Sequence, residues 1–385
     1  MQQMNSIELF AGAGGLALGL HDAGFKPKAV IEFNKDACRT LRANNIFNNG
    51  VSLYEGSVTN FDYLSVSDPI ELISGGPPCQ PFSLGGNSNG YNDSRDMFPE
   101  AVRAIREKKP RAFVFENVKG LLRKSFFEYF EYIIFQLQYP SVIKKHNECW
   151  ESHRTRLEKY HTKNNHSKLE YKVIYRLVNA ADYGIPQKRE RVFIVGFRSD
   201  IDANWSFPNP THSEEALLWS KWVSKDYWKN HNLKLPQIDK KTTAKVKNLI
   251  KKNGVLFEPD LKPWLTVRDA LADLPPPNSK QDKGFNNHEF KGGAKIYPGH
   301  TGSYIDEPSK TLKAGGHGVP GGENMIRFED GSVRYFTVRE SARIQTFPDD
   351  FDFEGSWGEV MRQLGNAVPA DLAKKVGQSI FKALT

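Results

Sequence analysis

Cysteine is scarce in this chain, with only Cys38, Cys79 and Cys149 among 385 residues. So few thiols, so widely spaced, exclude a disulfide framework and point to a reducing compartment, where a free thiol survives. No apolar run approaches the roughly 20 residues that cross a bilayer. The chain also enters a strand almost at once, without a charged and apolar leader. A soluble, cytoplasmic protein without a membrane partner is therefore expected. No internal repeat is evident, so nothing suggests a repeat architecture. Neither sign of charge is overwhelming: 53 Lys and Arg face 45 Asp and Glu, for a net charge of +8. That balance favours a polyanionic partner only modestly.

The length suffices for two compact units, since single cores seldom grow much beyond about 250 residues. In the first half, apolar strand-like runs at Ile7 to Phe10, Ala29 to Phe33, Ile70 to Ser74, Ala112 to Glu116 and Val192 to Val195 alternate with amphipathic segments such as Phe98 to Lys108. Alternation of this kind predicts an α/β fold, a mostly parallel sheet with helices on both faces. Ligands then gather at the carboxyl ends of strands, where Gly12, Glu32, Cys79 and Glu116 all fall. Residues 142–172 form a polar, basic stretch with His146, Cys149, His153, His161 and His166. It reads as an insertion. His146, Cys149 and His153 would share one helix face, but the remaining histidines lack compact zinc spacing. A solvated basic helix and loop able to touch phosphates is preferred, and no metal is expected. After Phe197 the alternation fades, and five of the seven tryptophans fall between Trp205 and Trp264. A second unit begins there, and beyond Pro275-Pro276-Pro277 it becomes glycine-rich, as in Gly315-Gly316-His317-Gly318 and Gly321-Gly322.

Two strings carry the chemistry: Gly75-Gly76-Pro77-Pro78-Cys79-Gln80-Pro81-Phe82-Ser83 and Phe113-Val114-Phe115-Glu116-Asn117-Val118. They place a thiol and a carboxylic acid at the ends of two buried strands. Attack of a thiolate on an electron-poor ring, helped by a neighbouring proton donor, makes an unreactive pyrimidine carbon nucleophilic. Two prolines stiffen the backbone before Cys79, and the loop from Leu84 to Asp93 could close over a substrate. A free thiol titrates near about 8.5, so a cation or helix amino end is needed beside it. Cys38 and Cys149 read instead as structural cysteines. Desolvation at the end of an apolar strand is expected to raise the pKa of Glu116 so that it holds a proton. The alternative for Glu116 is a carboxylate capping the following turn. In Gln187-x-Arg189-x-Arg191 a strand would put all three side chains on one face, although surface salt bridges explain the arginines equally well. Finally, Ser6 to Leu20 reads as strand, glycine turn and helix, the usual holder of a nucleoside cofactor. Gly12-x-Gly14-x-x-Ala17 with Glu32 also satisfies the dinucleotide pattern, so an NAD-dependent dehydrogenase remains an alternative here. It gives no role to Cys79, Glu116 and Arg191 together.

With these strings, and with Gln187 to Arg191, Arg339 to Pro348 and Gln363 to Pro369, the chain resembles the S-adenosylmethionine-dependent cytosine-5 DNA methyltransferases of bacterial restriction-modification systems. The resemblance spans nearly the whole length. It implies a Rossmann-like methyltransferase fold with a smaller inserted target-recognition domain: residues 1–198 catalytic, 199–356 target recognition and 357–385 returning to the catalytic domain. It further implies that Phe10, Gly12 and Gly15 contact S-adenosylmethionine, that Glu32 takes the ribose hydroxyls, and that Ser57 and Val58 meet the adenine. Ser57 stands where the family usually has an aspartate, so its oxygen accepts without a charge. Pro78 lies along the methionine portion and Asn366 closes the pocket. Cys79 would attack carbon 6 of a flipped cytosine assisted by Glu116, with Arg189 and Arg191 beside the base. Thr311-Leu312 matches a short element of the recognition domain, and Arg339 to Pro348 is expected to organise packing. The implied partner is double-stranded DNA bound in a cleft between domains by a monomer, in functional pairing with a restriction endonuclease. A tRNA cytosine-5 methyltransferase is the nearest rival, and a non-catalytic nucleic-acid-binding relative another.

Overall fold

A computed structural model describes residues 3–48, 50–78, 96–163, 169–254, 258–278, 284–314 and 324–385. The apolar runs of the first half become β1 (Met4–Leu9), β2 (Phe25–Glu32), β3 (Ser52–Glu55), β4 (Leu72–Gly75) and β5 (Ala112–Val118). After these come β6 (Tyr171–Asn179), the two-residue β7 (Gln187–Lys188) and β8 (Glu190–Arg198). All but β7 join one seven-stranded sheet in the order β3-β2-β1-β4-β5-β8-β6. The first five strands run parallel, with Leu9 beside Ile31 and Gly75, whereas β8 is antiparallel to β5 and sets Phe193 opposite Glu116. The chain order reverses between β1 and β4, a switch point at whose carboxyl side ligands of open α/β sheets bind.

Helices α1 (Gly15–Asp22), α2 (Lys35–Ala43), α3 (Phe98–Lys108), α4 (Phe127–Gln138) and α5 (Trp150–Thr162) follow the strands. α3 has the bounds its amphipathic pattern predicts. Pro99 sits in its first turn, where a missing N–H costs nothing, and Lys109 ends it in a left-handed conformation. Its Phe98, Ala101 and Ile105 pack with Ile7, Leu9, Ile31, Ile73, Phe113 and Phe115 in one fully buried cluster.

The basic stretch is less solvated than expected. α5 starts at Trp150, so His146 and Cys149 precede it and share no helix face with His153. His153 is buried, its Nε2 donating to the Val142 carbonyl at 2.8 Å while Nδ1 accepts from the Tyr132 hydroxyl at 2.9 Å. That carbonyl has no proton to give, so the neutral Nε2–H tautomer is selected, and burial pushes the pKa down. Among the described residues no cluster of His, Cys, Asp and Glu could hold a metal ion; His166 lies outside them.

The chain divides into two units: 1–178, 190–208 and 350–385 form one, and 179–189 with 209–349 the other. The second contains α6 (Glu214–Trp222), α7 (Asp226–Asn230), α8 (Lys240–Asn253), α9 (Val267–Leu271) and α10 (Val338–Ile344). Its strands are short: β9 (His212–Ser213) pairs with β10 (Lys262–Pro263), and β12 (Ser309–Lys310) pairs with β7. Between and after these, β11 (Ser303–Tyr304), β13 (Met325–Arg327) and β14 (Val333–Tyr335) make a three-stranded sheet. One core gathers Leu217, Tyr227, Trp228 and Trp264, and another Val267, Leu312, Ile326, Phe336 and Ile344. In α10, Arg339 donates to the carbonyls of Asn286 and Pro348, and Arg343 pairs with Asp273 and Asp349, so both arginines organise packing as expected. Helices α11 (Trp357–Asn366) and α12 (Ala370–Leu384) return to the first unit, where α12 lies against α1. Among the described residues no helix is long and apolar enough to cross a membrane.

Candidate active site

The parallel strands of the first unit end side by side, and their carboxyl ends collect most of the residues the sequence singles out. After β1, Phe10 and Gly12 both adopt positive φ, 54° and 55°. For phenylalanine this conformation is strained, which marks a functional turn rather than a generic one. A β-carbon on Gly12 would meet nothing within 4 Å, so open space lies against the backbone. Gly15 opens α1. Glu32, buried at the end of β2, accepts the Gly12 N–H on one oxygen and the Asn34 N–H on the other, each at 2.8 Å. The carboxylate thus fixes the glycine turn, and its remaining lone pairs stay available to a ligand hydroxyl.

At the end of β3, the Gly56 N–H donates to the Glu32 carbonyl at 2.9 Å and brings Ser57 and Val58 alongside. The Ser57 oxygen caps a short turn, accepting from the Thr59 N–H, and shares a hydrogen with the Thr59 hydroxyl at 2.8 Å. Val58 is buried in the core. Asn366 is exposed at the last position of α11. One candidate escaped the sequence analysis: Phe33, directly after Glu32, is 69 % exposed. An aromatic beside an acidic residue at a strand end was the available signal, since a ring left in water there suits the face of a nucleobase.

β4 leads through Gly76 and Pro77 to Pro78, whose carbonyl accepts the Met97 N–H at 3.4 Å. Cys79 and the loop from Leu84 to Asp93 lie outside the described residues, as do Gly315 to Gly318, Gly321 and Gly322. Asn117 on β5 braces the segment after β4, its Nδ2 donating to the Pro77 carbonyl at 3.0 Å. Glu116 is buried with its Oε2 only 3.5 Å from where a Gly76 β-carbon would stand, so the carboxyl lies beside the segment that follows β4. Arg191, on antiparallel β8, sets its Nε 2.6 Å from Glu116 Oε1, and its Nη1 donates to the Glu190 carbonyl. Burial pushes the Arg191 pKa down, and the carboxylate beside it opposes that.

Arg189 lies between β7 and β8. The single strand face expected for Gln187, Arg189 and Arg191 is not formed, because the strand breaks between Lys188 and Glu190. Gln187 and Arg189 belong to the second unit. There Gln187 meets Gln345 and the Leu312 N–H, and Arg189, fully buried, donates to the Leu312 carbonyl at 3.3 Å. Thr311 donates to the Lys188 carbonyl in the same knot.

The glycine turn and the acid pair could each occur elsewhere; a family model spans the segments that carry both. The model of the C-5 cytosine-specific DNA methylases matches residues 4–139 and 151–382. The chain belongs to this family. Type II methyltransferase M.PspPI of Psychrobacter sp. (strain TA137) is 34% identical over 382 residues, covering 98% of this chain and 79% of that protein. Type II methyltransferase M.NgoMIV of Neisseria gonorrhoeae is 32% identical over 392 residues, covering 99% and 98%. The solved structure of the S. pombe Dnmt2 methyltransferase shares the fold, with a TM-score of 0.56 at 16% identity over the full length of both chains. This DNA cytosine-5 methyltransferase is therefore an α/β enzyme of the Rossmann-like class whose methyl donor is S-adenosylmethionine. Its residues fit that donor: the open left-handed turn at Gly12, the buried Glu32 and the exposed Phe33 ring offer a backbone cradle, a hydroxyl acceptor and an aromatic face. The dehydrogenase alternative lapses.

Proposed function

We propose that this methyltransferase modifies one cytosine within a specific sequence of double-stranded DNA through a covalent adduct on Cys79, in the cytoplasm, as the protective partner of a restriction endonuclease. The observation that carries the reading is the buried Glu116–Arg191 pair, with Glu116 Oε2 beside Gly76 on the segment that leads to Pro77 and Pro78. Inside a stacked duplex the ring carbons are out of reach, so the target swings out at a cost of a few kcal/mol that protein contacts offset. The Cys79 thiolate then bonds to carbon 6 while Glu116 passes a proton to ring nitrogen 3 and accepts from the exocyclic amine. Carbon 5 becomes enamine-like. S-adenosylmethionine, when bound, supplies the sulfonium methyl that carbon 5 takes. Loss of the carbon 5 proton to water, return of the nitrogen 3 proton to Glu116 and expulsion of Cys79 restore the aromatic ring, the acid and the thiolate.

Arg191 does two things in this scheme. Its Nε holds Glu116 in place, and its Nη2, which has no acceptor among the described residues, meets the cytosine carbonyl oxygen. Phe10, Gly12, Gly15, Pro78 and Asn366 line the cofactor, Glu32 takes the ribose hydroxyls, Phe33 stacks on the adenine, and Ser57 with Val58 meets its edge. The second unit reads the DNA sequence. Relatives named Type II methyltransferases support the restriction-modification setting. A monomer suffices, since one site acts on one flipped base at a time.

The test is transfer of labelled methyl from S-adenosylmethionine to unmethylated DNA and to tRNA in parallel, with base-resolution mapping and Cys79→Ser as control. Label at one short recurring DNA sequence, absent with Cys79→Ser, is expected. Label in tRNA alone would move the chain to the rival substrate, and full activity of Cys79→Ser would remove the adduct from the scheme.

A further inference from the structure

β13 is the middle strand of the small sheet in the second unit, and its residues part to two faces. Ile326 enters the core with Val267, Leu312, Phe336 and Ile344. Arg327 therefore projects from the opposite face, in register with Tyr304 on β11 and Val333 on β14. Its guanidinium carbon lies 4.8 Å from the centroid of the Tyr304 ring, which is 51% exposed. The second unit holds six arginines, and five are committed. Arg189 donates to Leu312, Arg268 to Asp306 and Glu329, Arg334 to Glu340, Arg339 to Asn286 and Pro348, and Arg343 to Asp273 and Asp349. Arg327 is the exception. Its side chain has no acceptor among the described residues, and its Nε is buried without a partner.

A guanidinium left with unsatisfied donors, one of them shielded from water, carries a desolvation cost that an incoming acceptor relieves. Stacking on the tyrosine ring also holds its plane, so little freedom is lost when two parallel N–H groups meet a paired acceptor. In duplex DNA the major-groove edge of guanine presents such a pair, N7 and O6, and a short β-ribbon fits that groove. A phosphate contact makes no demand for a ring-held plane. We infer that Arg327, steadied by Tyr304, recognises a guanine of the target sequence through its N7 and O6 edge. The inference rests on the reading above that the second unit reads DNA.

The experiment maps methylation of a randomised duplex library by the full chain and by Arg327→Ala, Arg327→Lys and Tyr304→Ala. DNA affinity across a salt series, S-adenosylmethionine affinity and thermal melting are measured alongside. Arg327→Ala is expected to lose about ten- to hundredfold discrimination at one G·C pair, with the other positions, cofactor affinity and melting unchanged. Arg327→Lys keeps the charge and bulk but not the fork, so it is expected to lose the same discrimination, and it carries the test should the alanine variant fold poorly. Tyr304→Ala is expected to relax the same position to a smaller degree. Unaltered specificity in both Arg327 variants would overturn the assignment. So would a uniform loss of affinity for all sequences with a salt slope lower by about one, the mark of a phosphate contact. A wild-type enzyme that methylates DNA without any recurring sequence would instead overturn the reading of the second unit on which the assignment depends.

Discussion

Glu116 and Arg191 are buried together on neighbouring antiparallel strands, so each is the other's chief compensation for leaving water. Removing only the cation strands a carboxylate in the interior. Arg191→Met is expected to cost about 3–5 kcal/mol in denaturant melts. Adding Glu116→Gln to that variant removes the stranded charge and is expected to recover much of the loss without recovering methyl transfer. Glu116→Gln alone is expected to depress turnover far more than DNA affinity, because it takes away the proton donor while its amide oxygen still accepts from Arg191 Nε. Equal loss of both would make Glu116 a binding residue. His153 offers a pH-dependent case. Its folded pKa lies below the ordinary 6.5, so below pH 6.5 the unfolded chain binds more protons than the folded one. The stability it contributes is complete above that pH and falls as acid is added. His153→Gln keeps a donor for Val142 and an acceptor for Tyr132 without a titrating ring. Urea midpoints between pH 8 and 5 are expected to decline less for this variant than for the parent chain.

At the scale of elements, what was legible depended on burial. α3 carried a full amphipathic period and a first-turn proline, and its bounds could be read directly. β6 could not be seen in the sequence, because it closes the edge of the sheet and leaves Lys172, Ile174, Tyr175 and Arg176 exposed, which erases the apolar alternation. The Gln187 to Arg191 string misled for a different reason. Its alternation is that of one strand, but the side chains at its start answer to Leu312 and Gln345, more than a hundred residues away, and no local period encodes such partners. The acid string, by contrast, could be read because the strand end that carries Glu116 is local. Between elements, α1 and α12 meet so closely that a β-carbon on Gly19 would stand 2.2 Å from the Ala370 carbonyl oxygen. Gly19→Val forces these backbones apart. A loss of about 1–3 kcal/mol is expected from overpacking, with weaker S-adenosylmethionine binding because α1 carries the glycine turn. Melting and cofactor titration of the variant check both; an unchanged melting temperature would mean that α12 is free to shift.

The whole molecule is threaded more than once between its units, and this bears on how specificity can be moved. The division expected from the sequence assigns residues 1–198 to the first domain. In the structure 179–189 folds with 209–349. β7 pairs with β12, Gln187 bonds Leu312 and Gln345, Thr311 bonds Lys188, and Trp264 Nε1 donates to Asp182. If the second unit reads the DNA, grafting only residues 209–349 from a relative of different specificity sets foreign partners against the native Gln187, Lys188 and Asp182. That chimera is expected to melt lower and to methylate weakly. Carrying 179–189 across with 209–349 restores these bonds and is expected to transfer the donor's target sequence with near-native melting, because Glu116, Arg191 and the cofactor strands all stay in the first unit. The comparison is made by base-resolution methylation mapping and thermal melting of both chimeras. Transfer of specificity by the shorter graft at undiminished stability would show that the 179–189 strand tolerates any partner, and retention of the parental sequence by the longer one would place base reading in the first unit.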